Sequence, residues 1–146
     1  IRDVERSRGL GDVYKRQILN QEEASLLTKI PYQKEKEIFK KIDAFCPGIA
    51  IMTKGLGGVV VSDGQYLYRA DSLKVKVVDR TGAGDSFASG FLSGFIKSRG
   101  DIITSIQLGI ANSASCLQKF GAKNGLLKSK EKWKKVKVEK ELCSKK

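Results

Sequence analysis

Residues 79–85 read Asp-Arg-Thr-Gly-Ala-Gly-Asp, and an apolar segment with helical spacing follows them to about Lys97. A glycine-rich turn that opens a helix points consecutive backbone N–H groups at one spot, where the helix dipole adds a fractional positive charge. Such a spot suits an anion, above all a phosphoryl group. Asp85 falls in the first helical turn, where a carboxylate can accept the proton of an attacking hydroxyl. The stretch therefore predicts phosphate chemistry.

Two other phosphate-binding loops are excluded. A dinucleotide fingerprint would need a glycine where Phe87 stands, and a Walker A loop needs Gly-Lys-Ser or Gly-Lys-Thr, which this sequence lacks. The plain alternative is a tight connection between a strand and a helix, in which glycine only supplies backbone freedom.

The segments around this turn alternate between strand and helix patterns, which favours a layered α/β fold. Asn20 predicts a helix N-cap, with Glu22 and Glu23 in the first turn behind it. In chain order the sequence predicts a helix after Asn20, a helix at about 33–45, strands at 49–52, 57–61 and 65–69, a short strand at Val75–Val78, and helices at about 84–97 and 102–117. The side chains expected in the core of the helices are Ile38, Ile42, Phe45, Phe87, Phe91, Leu92 and Phe95.

The two ends differ from this body. Residues 1–17 show neither helical nor strand periodicity and resemble a translated adapter sequence, so we exclude them from the fold. The body then begins at Ile18 and extends to about residue 127. Residues 119–146 hold eleven lysines and three glutamates, so most of the net charge of +12 belongs to the end of the chain. We expect residues 128–146 to form a solvated, Lys-rich tail with helix-forming residues around Trp133.

The composition excludes several classes of function. The chain has no histidine, so histidine bases and histidine metal sites are ruled out. Three widely spaced cysteines indicate reduced thiols rather than a disulfide framework. No apolar run is long enough to span a bilayer, and no signal peptide is present, so we expect a cytoplasmic protein without membrane contact.

Four motifs in order resemble the C-terminal half of the ribokinase-like (pfkB) carbohydrate kinase family. The first is the Asp79–Asp85 turn with its small-residue apolar helix. Asn20-Gln21-Glu22-Glu23 resembles the family's Asn-x-x-Glu motif. Thr53-Lys54-Gly55, with Gly57-Gly58 after it, is similar to the loop that lines the nucleotide site. Ala111-Asn112-Ser113-Ala114, followed by Gly121-Ala122, is similar to the helix and loop that flank the adenine. Arg80 departs from the small residue or proline of many members.

The resemblance implies a three-layer α/β/α sandwich of which this chain is a C-terminal fragment with an incomplete sheet. It implies ATP-dependent phosphoryl transfer to a hydroxyl of a sugar, sugar phosphate or nucleoside. The implied catalytic residues are Asp85 as base and Gly82, Ala83 and Gly84 as anion hole. Thr53, Gly55, Thr81 and Asn112 would bind ATP, and Asn20 and Glu23 would hold Mg²⁺, through water. We expect the fragment to be inactive alone, and a homodimer of the full-length protein.

Each residue also has a plainer interpretation. Asn20 and Glu23 could form an ordinary helix cap, Thr53 and Gly55 could simply end a strand, and Asn112 could be a satisfied polar residue inside a helix. The rival function is a non-catalytic nucleotide- or polyanion-binding protein that uses the Lys-rich tail. No nucleic-acid-binding module is recognisable, so we expect no specific nucleic-acid partner.

Overall fold

The computed structural model describes residues 2–6, 15–121, 125–128 and 130–143. The chain divides into two compact units, the first comprising residues 1–69 and 139–146 and the second residues 70–138. Among the described residues, no helix has the length and apolar character needed to cross a bilayer.

The first unit is built on a six-stranded sheet in the order β1-β2-β3-β4-β5-β6. The strands are β1 (Arg2–Arg6), β2 (Lys15–Asn20), β3 (Gly48–Thr53), β4 (Val59–Ser62), β5 (Tyr66–Ala70) and β6 (Glu139–Leu142). β2 and β3 run parallel, whereas the β1–β2, β3–β4 and β5–β6 pairs are antiparallel. The expected mixture of strands and helices is therefore present.

Two helices pack on this sheet through their apolar sides: α1 (Gln21–Thr28) and α2 (Glu35–Phe45). The residues of the resulting core are Leu19, Ala24, Ile38, Phe39, Ile42, Ala50, Met52, Val60 and Leu67. Burial of such side chains is the main stabilising contribution to a domain of this kind.

Asp63 and Gly64 form the turn between β4 and β5. The Asp63 carboxylate accepts hydrogen bonds from the N–H groups of Gln65 (2.9 Å) and Tyr66 (2.7 Å). Gly64 has a φ of 89°, a left-handed conformation that favours glycine. The local Asp-Gly signal therefore specifies this hairpin without help from distant residues.

The second unit contains α3 (Ala83–Lys97) and α4 (Ile102–Leu117), close to the predicted bounds. Their backbones approach closely at glycines. A Cβ on Gly90 would lie 2.9 Å from the Gly109 Cα, and one on Gly94 would lie 2.9 Å from the Ser105 Cα. Phe87 and Phe91 are buried as predicted, whereas Leu92 and Phe95 are only half-buried.

Three expectations about the elements are wrong. Val75–Val78 is not a strand; the Val78 N–H donates instead to the Leu117 carbonyl oxygen at the end of α4 (2.7 Å). Phe45 is half-exposed at the end of α2 rather than in the core. Residues 1–17 are not free of regular structure, because Arg2–Arg6 and the start of β2 are extended and paired. Their origin as an adapter remains a prediction.

The described part of the Lys-rich tail is also not helical around Trp133. It runs without helix or strand until β6, which the sequence pattern did not indicate. Ala122 and the last three residues of the chain lie outside the described residues. All three cysteines are free thiols, as predicted.

Candidate active site

The glycine turn places an open helix terminus at the start of α3. Gly82 is the N-cap residue and adopts the left-handed conformation (φ 78°, ψ 5°), with no side-chain cap on the helix. A Cβ on Gly84 would meet no heavy atom within 4 Å, so the space around that residue is open. Asp85 is exposed in the first turn. The first backbone N–H groups of α3 and one exposed carboxylate therefore lie within the same turn of helix.

The amides of this turn are not equivalent. The Ser86 N–H makes the first helical hydrogen bond, to the Gly82 carbonyl oxygen (2.8 Å), and the Ala83 N–H donates to the Arg80 carbonyl oxygen over a longer 3.3 Å. Of the predicted anion-hole donors, Ala83 is thus already partly engaged within the turn.

Asp79 stabilises the glycine turn through both oxygens of its carboxylate. One of its carboxylate oxygens accepts hydrogen bonds from the Thr81 N–H (2.9 Å) and hydroxyl (2.7 Å), and the other accepts one from the Gly121 N–H (2.9 Å). The bond from Gly121, followed by those from Thr81, holds the pKa of Asp79 below its ordinary value. Asp79 therefore connects the turn to the loop after α4.

The end of α4 supports the same turn. The Leu117 carbonyl oxygen, which has no acceptor role inside its own helix, accepts the N–H groups of Val78 (2.7 Å) and Asp79 (3.2 Å). The Cys116 thiol, fully buried, contacts the Thr81 carbonyl oxygen at 3.6 Å. The position of the turn is thus set by α4, about 35 residues further along the chain.

Asn112 is a buried polar residue whose side-chain amide has several partners. Its Nδ2 donates to the Ser86 carbonyl oxygen (2.7 Å) and to the Ser89 hydroxyl (3.3 Å), and its Oδ1 accepts from the Leu127 N–H (2.8 Å). The structure thus places Asn112 beside the first turns of α3, as a link between α3, α4 and the segment that follows them.

In the first unit, Asn20 and Glu23 form a capping box. The Glu23 N–H donates to Asn20 Oδ1 (2.8 Å), and the Asn20 N–H donates to a Glu23 carboxylate oxygen (2.9 Å). Asn20 ends β2 and lies opposite Thr53, which ends the parallel strand β3. Carboxyl ends of neighbouring parallel strands are the usual place for ligands in open α/β sheets.

The loop after Thr53 is closed by its own backbone. The Lys54 N–H donates to the Gly58 carbonyl oxygen (2.9 Å), and the Gly57 N–H donates to the Lys54 carbonyl oxygen (2.9 Å). Gly55 has a φ of 57°, and a Cβ there would meet nothing within 4 Å. The loop therefore leaves space for a ligand at Gly55.

Asn20 and Glu23 are the residues that the sequence predicts to hold a metal ion. Among the described residues no group of three or more Cys, Asp or Glu side chains is arranged to hold a metal ion. Asn20 and Glu23 offer oxygen atoms at the end of β2, and the capping box orients them. Two oxygen-bearing side chains of this kind fit a hydrated Mg²⁺ held through its waters.

A groove in the second unit, lined by both polar and apolar residues, was not predicted. It has a volume of about 620 Å³ and lies between α3, α4 and the segment after α4. Its lining includes Ser89, Lys97, Asn112, Lys128, Lys130 and Trp133. Part of the Lys-rich tail therefore lies along two helices of the body.

The comparison with known families decides where this chain belongs. The model of the pfkB family carbohydrate kinases matches residues 17–129. The chain belongs to the pfkB family. An uncharacterized sugar kinase from Archaeoglobus fulgidus is 36% identical over 132 residues, covering 84% of this chain and 50% of that protein. A ribokinase from Lactococcus lactis is 42% identical over 81 residues, covering 56% of this chain and 27% of that protein.

A solved structure confirms the ribokinase-like α/β fold. The ribokinase of Arabidopsis thaliana, complexed with ribose and ATP, gives a TM-score of 0.69 at 22% identity, covering 76% of this chain and 37% of that one. The chain thus spans between about a quarter and a half of the length of the pfkB relatives it matches.

The predicted site residues of this pfkB member fall into two groups. The first unit holds Asn20, Glu23, Thr53 and Gly55, and the second holds Thr81, Gly82, Ala83, Gly84, Asp85 and Asn112. In the first unit the group lies at the ends of the paired strands β2 and β3, and in the second at the start of α3, which Asn112 contacts from within α4. Sequence reasoning missed the role of Asp79 because its partner Gly121 is 42 residues away. The motif itself, in which Asp79 precedes Thr81 by two residues, was the available signal for an Asx turn.

Proposed function

We propose that this chain carries the ATP-handling part of a kinase that phosphorylates a hydroxyl of a sugar, sugar phosphate or nucleoside. The observation that carries the proposal is the N-terminus of α3, which follows the left-handed Gly82 without a side-chain cap and holds the exposed Asp85 in its first turn. Membership of the pfkB family and the relatives named ribokinase and sugar kinase support it.

In the proposed reaction Asp85 is the general base. It accepts the proton of the acceptor hydroxyl while the hydroxyl oxygen forms its bond to the γ-phosphorus of ATP. The bond from that phosphorus to the β–γ bridging oxygen breaks, and ADP leaves with the electron pair. A positioned base of this kind contributes about 10²–10⁴-fold to a rate.

The backbone N–H groups from Gly82 to Asp85 are the proposed anion hole. They stabilise the charge that spreads over the transferred phosphoryl oxygens. Gly84, exposed in the first turn of α3, is a stronger candidate donor than Ala83, whose N–H also donates to the Arg80 carbonyl oxygen. Asp79 and the end of α4 fix the turn, so these donors need no rearrangement when charge develops.

The remaining assignments concern the nucleotide and its metal ion. Thr53, Gly55 and Thr81 are proposed to bind ATP, with Asn112 in that set because it holds Ser86 at the start of α3. Asn20 and Glu23 are proposed to hold Mg²⁺ through water, and the bound ion would neutralise phosphate charge. A cytoplasmic location, a homodimer of the full-length protein and the inactivity of this chain alone are further proposals.

The decisive experiment replaces Asp85 in the complete gene product. Asp85→Ala should lower kcat for ATP-dependent phosphorylation of a sugar or nucleoside by about 10²–10⁴-fold, while the Kd for ATP changes little. Asp71→Asn is the matched control, because Asp71 is an exposed carboxylate outside the turn. Near-normal turnover of Asp85→Ala would show that Asp85 is not the base.

The second candidate is non-catalytic binding of a polyanion by the Lys-rich tail. It draws support from the groove, where Lys97, Lys128 and Lys130 lie along α3, α4 and the tail. Polyanion binding should weaken steeply with ionic strength and disappear when residues 128–146 are removed. ATP binding that survives this truncation would favour the kinase.

A further inference from the structure

The Thr53–Gly58 loop is short, and three backbone hydrogen bonds close it on itself. Beyond them, the Lys54 side chain crosses to α2, where its Nζ lies 2.9 Å from a carboxylate oxygen of Glu35. Glu35 is the first residue of α2, so this contact joins the loop to a helix that belongs to the core.

Glu35 uses one carboxylate oxygen for each of two cations. Oε1 accepts the hydrogen bond from Lys54, and Oε2 accepts one from the Arg69 Nε at 3.2 Å. The side chains of Glu35 and Lys54 are only 20% and 22% exposed, so the pair is better shielded from water than a surface ion pair. Burial acts to raise the pKa of Glu35, but the hydrogen bonds and charges of Lys54 and Arg69 hold it below its ordinary value.

Arg69, the second cation at Glu35, also contacts the strand β6. The Arg69 Nη1 contacts the Glu141 carboxylate, and Lys36 lies 3.6 Å from the same oxygen. Arg69 on β5 is thereby held from both sides, by α2 and by β6. The Glu35 carboxylate thus has a partner that is itself held on the side away from α2.

We propose that Glu35 is a positioning residue for nucleotide binding, which fixes the Thr53–Gly58 loop through Lys54. The inference rests on the proposed function, which assigns Thr53 and Gly55 to ATP. Exposed ion pairs contribute little, but Glu35 is four-fifths buried and serves two cations. Loss of its charge leaves Lys54 without its counterion, and the loop is then held by its own backbone bonds alone.

A purely structural role for Glu35 makes a different prediction. A residue that only stabilises the unit would change the unfolding midpoint and the exchange of all amides in β3 and α2 together. A positioning residue changes the exchange of the loop amides, and the affinity for ATP, beyond any such uniform effect.

The test compares the complete gene product with four of its variants: Glu35→Gln, Lys54→Met, the double variant that combines them, and Glu37→Gln. Glu37 is the matched control because it is a second, exposed acid in the first turn of α2. The readouts are hydrogen exchange at the Lys54 and Gly57 amides, the Kd for ATP by calorimetry, and the circular dichroism spectrum as a check on folding.

We expect Glu35→Gln and Lys54→Met each to speed exchange at the two loop amides by about tenfold and to raise the Kd for ATP by about fivefold. The double variant should be no worse than either single one, because both remove the same contact. Glu37→Gln should match the wild type. If Glu35→Gln does not fold, Lys54→Met still carries the test, because Lys54 lies in the loop.

The two proposals fail in different ways. The positioning role would be overturned if the loop amides of Glu35→Gln and Lys54→Met exchanged at the same rate as those of Glu37→Gln. It would also be overturned if the exchange rates rose uniformly over the whole first unit. A complete gene product that binds no ATP, with loop amides that still respond to Glu35→Gln, would overturn the proposed function and not the structural link.

Discussion

At the scale of single residues, Asp79 differs from its closest isostere in the number of acceptor oxygens. Its carboxylate receives Thr81 on one oxygen and Gly121 on the other. An asparagine has one acceptor oxygen and an NH₂ group, which cannot accept the second N–H. Asp79→Asn should therefore keep one of the two connections and lose the other. Hydrogen exchange at the Thr81 and Gly121 amides should show about a tenfold increase at one of them.

Asp71→Asn is the control for this change, because it removes an exposed carboxylate from the same segment without touching the turn. The prediction is contradicted if the Thr81 and Gly121 amides of Asp79→Asn both exchange as slowly as in the wild type. It is also contradicted if Asp71→Asn changes the exchange rates as much as Asp79→Asn does.

Glu35 gives a pH dependence whose sign follows from its environment. Its pKa in the folded protein lies below the unfolded value of about 4.3, so its contribution is complete above that value and is lost as pH falls through the folded pKa. Glu35→Gln should destabilise the protein by about 1 kcal/mol at pH 7 and by less in acid. The charged groups around Glu35 are Lys54, Arg69, Lys36 and Glu141.

Denaturant unfolding between pH 3 and pH 7 measures this difference directly. Glu37→Gln, which changes the same net charge, should show a smaller difference from the wild type. If the difference in the free energy of unfolding between wild type and Glu35→Gln grows as the pH falls, the stabilising role of the ionised Glu35 is contradicted.

At the scale of elements, the α3–α4 contact depends on the absence of side chains. A Cβ on Gly90 would lie 2.9 Å from the Gly109 Cα and 2.9 Å from the Leu108 carbonyl oxygen. Gly90→Ala therefore forces the helices apart, which costs about 1–3 kcal/mol, although alanine regains about 1 kcal/mol of helix propensity. We expect a net loss of about 1 kcal/mol and faster exchange in both helices.

Ser93→Ala is the matched control on α3, since it gains helix propensity and adds no atom at the contact with α4. An unfolding midpoint for Gly90→Ala at or above that of Ser93→Ala would show that the helices can absorb the added methyl group.

The elements also show where sequence patterns suffice. The capping box at Asn20, the hairpin at Asp63 and the bounds of α4 were predictable because their signals lie within a few residues. Val75–Val78 has the composition of a strand, but the Val78 N–H donates to the Leu117 carbonyl oxygen at the end of α4. The sequence around Val78 does not indicate this distant partner.

The candidate site divides in the same way. The glycine turn and Asp85 were predictable because the residues that indicate phosphate chemistry lie within one short stretch, residues 79–85. The support from Asp79 and Glu35 was not, because the partners Gly121, Lys54 and Arg69 are 19–42 residues distant. Hydrogen bonds of that range depend on the fold rather than on the local sequence.

At the scale of the whole molecule, the positive charge is concentrated at the C-terminal end of the chain. Part of that end belongs to the sheet of the first unit. Residues 128–146 were expected to be solvated throughout. Instead, Glu139–Leu142 form β6, which pairs with β5, and Lys140 lies 4.0 Å from the ring centroid of Tyr66. The last strand of the first unit thus comes from the Lys-rich segment, with the whole second unit between it and β5 in the sequence.

This topology predicts the effect of a truncation. Removal of residues 139–146 deletes β6 with its ladder to β5, the Glu141 contact to Arg69 and the cation–π contact of Lys140. The first unit should lose about 2 kcal/mol of stability, since the backbone hydrogen bonds of the ladder and the cation–π contact contribute about 1 kcal/mol each. The amides of β5 should exchange faster, while those of α3 and α4 keep their protection because their mutual packing is untouched. Deletion of residues 144–146 alone is the control, because it shortens the same end and spares β6. Equal exchange of β5 amides in the two truncations would show that β6 does not stabilise the sheet, and the path from Glu35 through Arg69 would then end at β5.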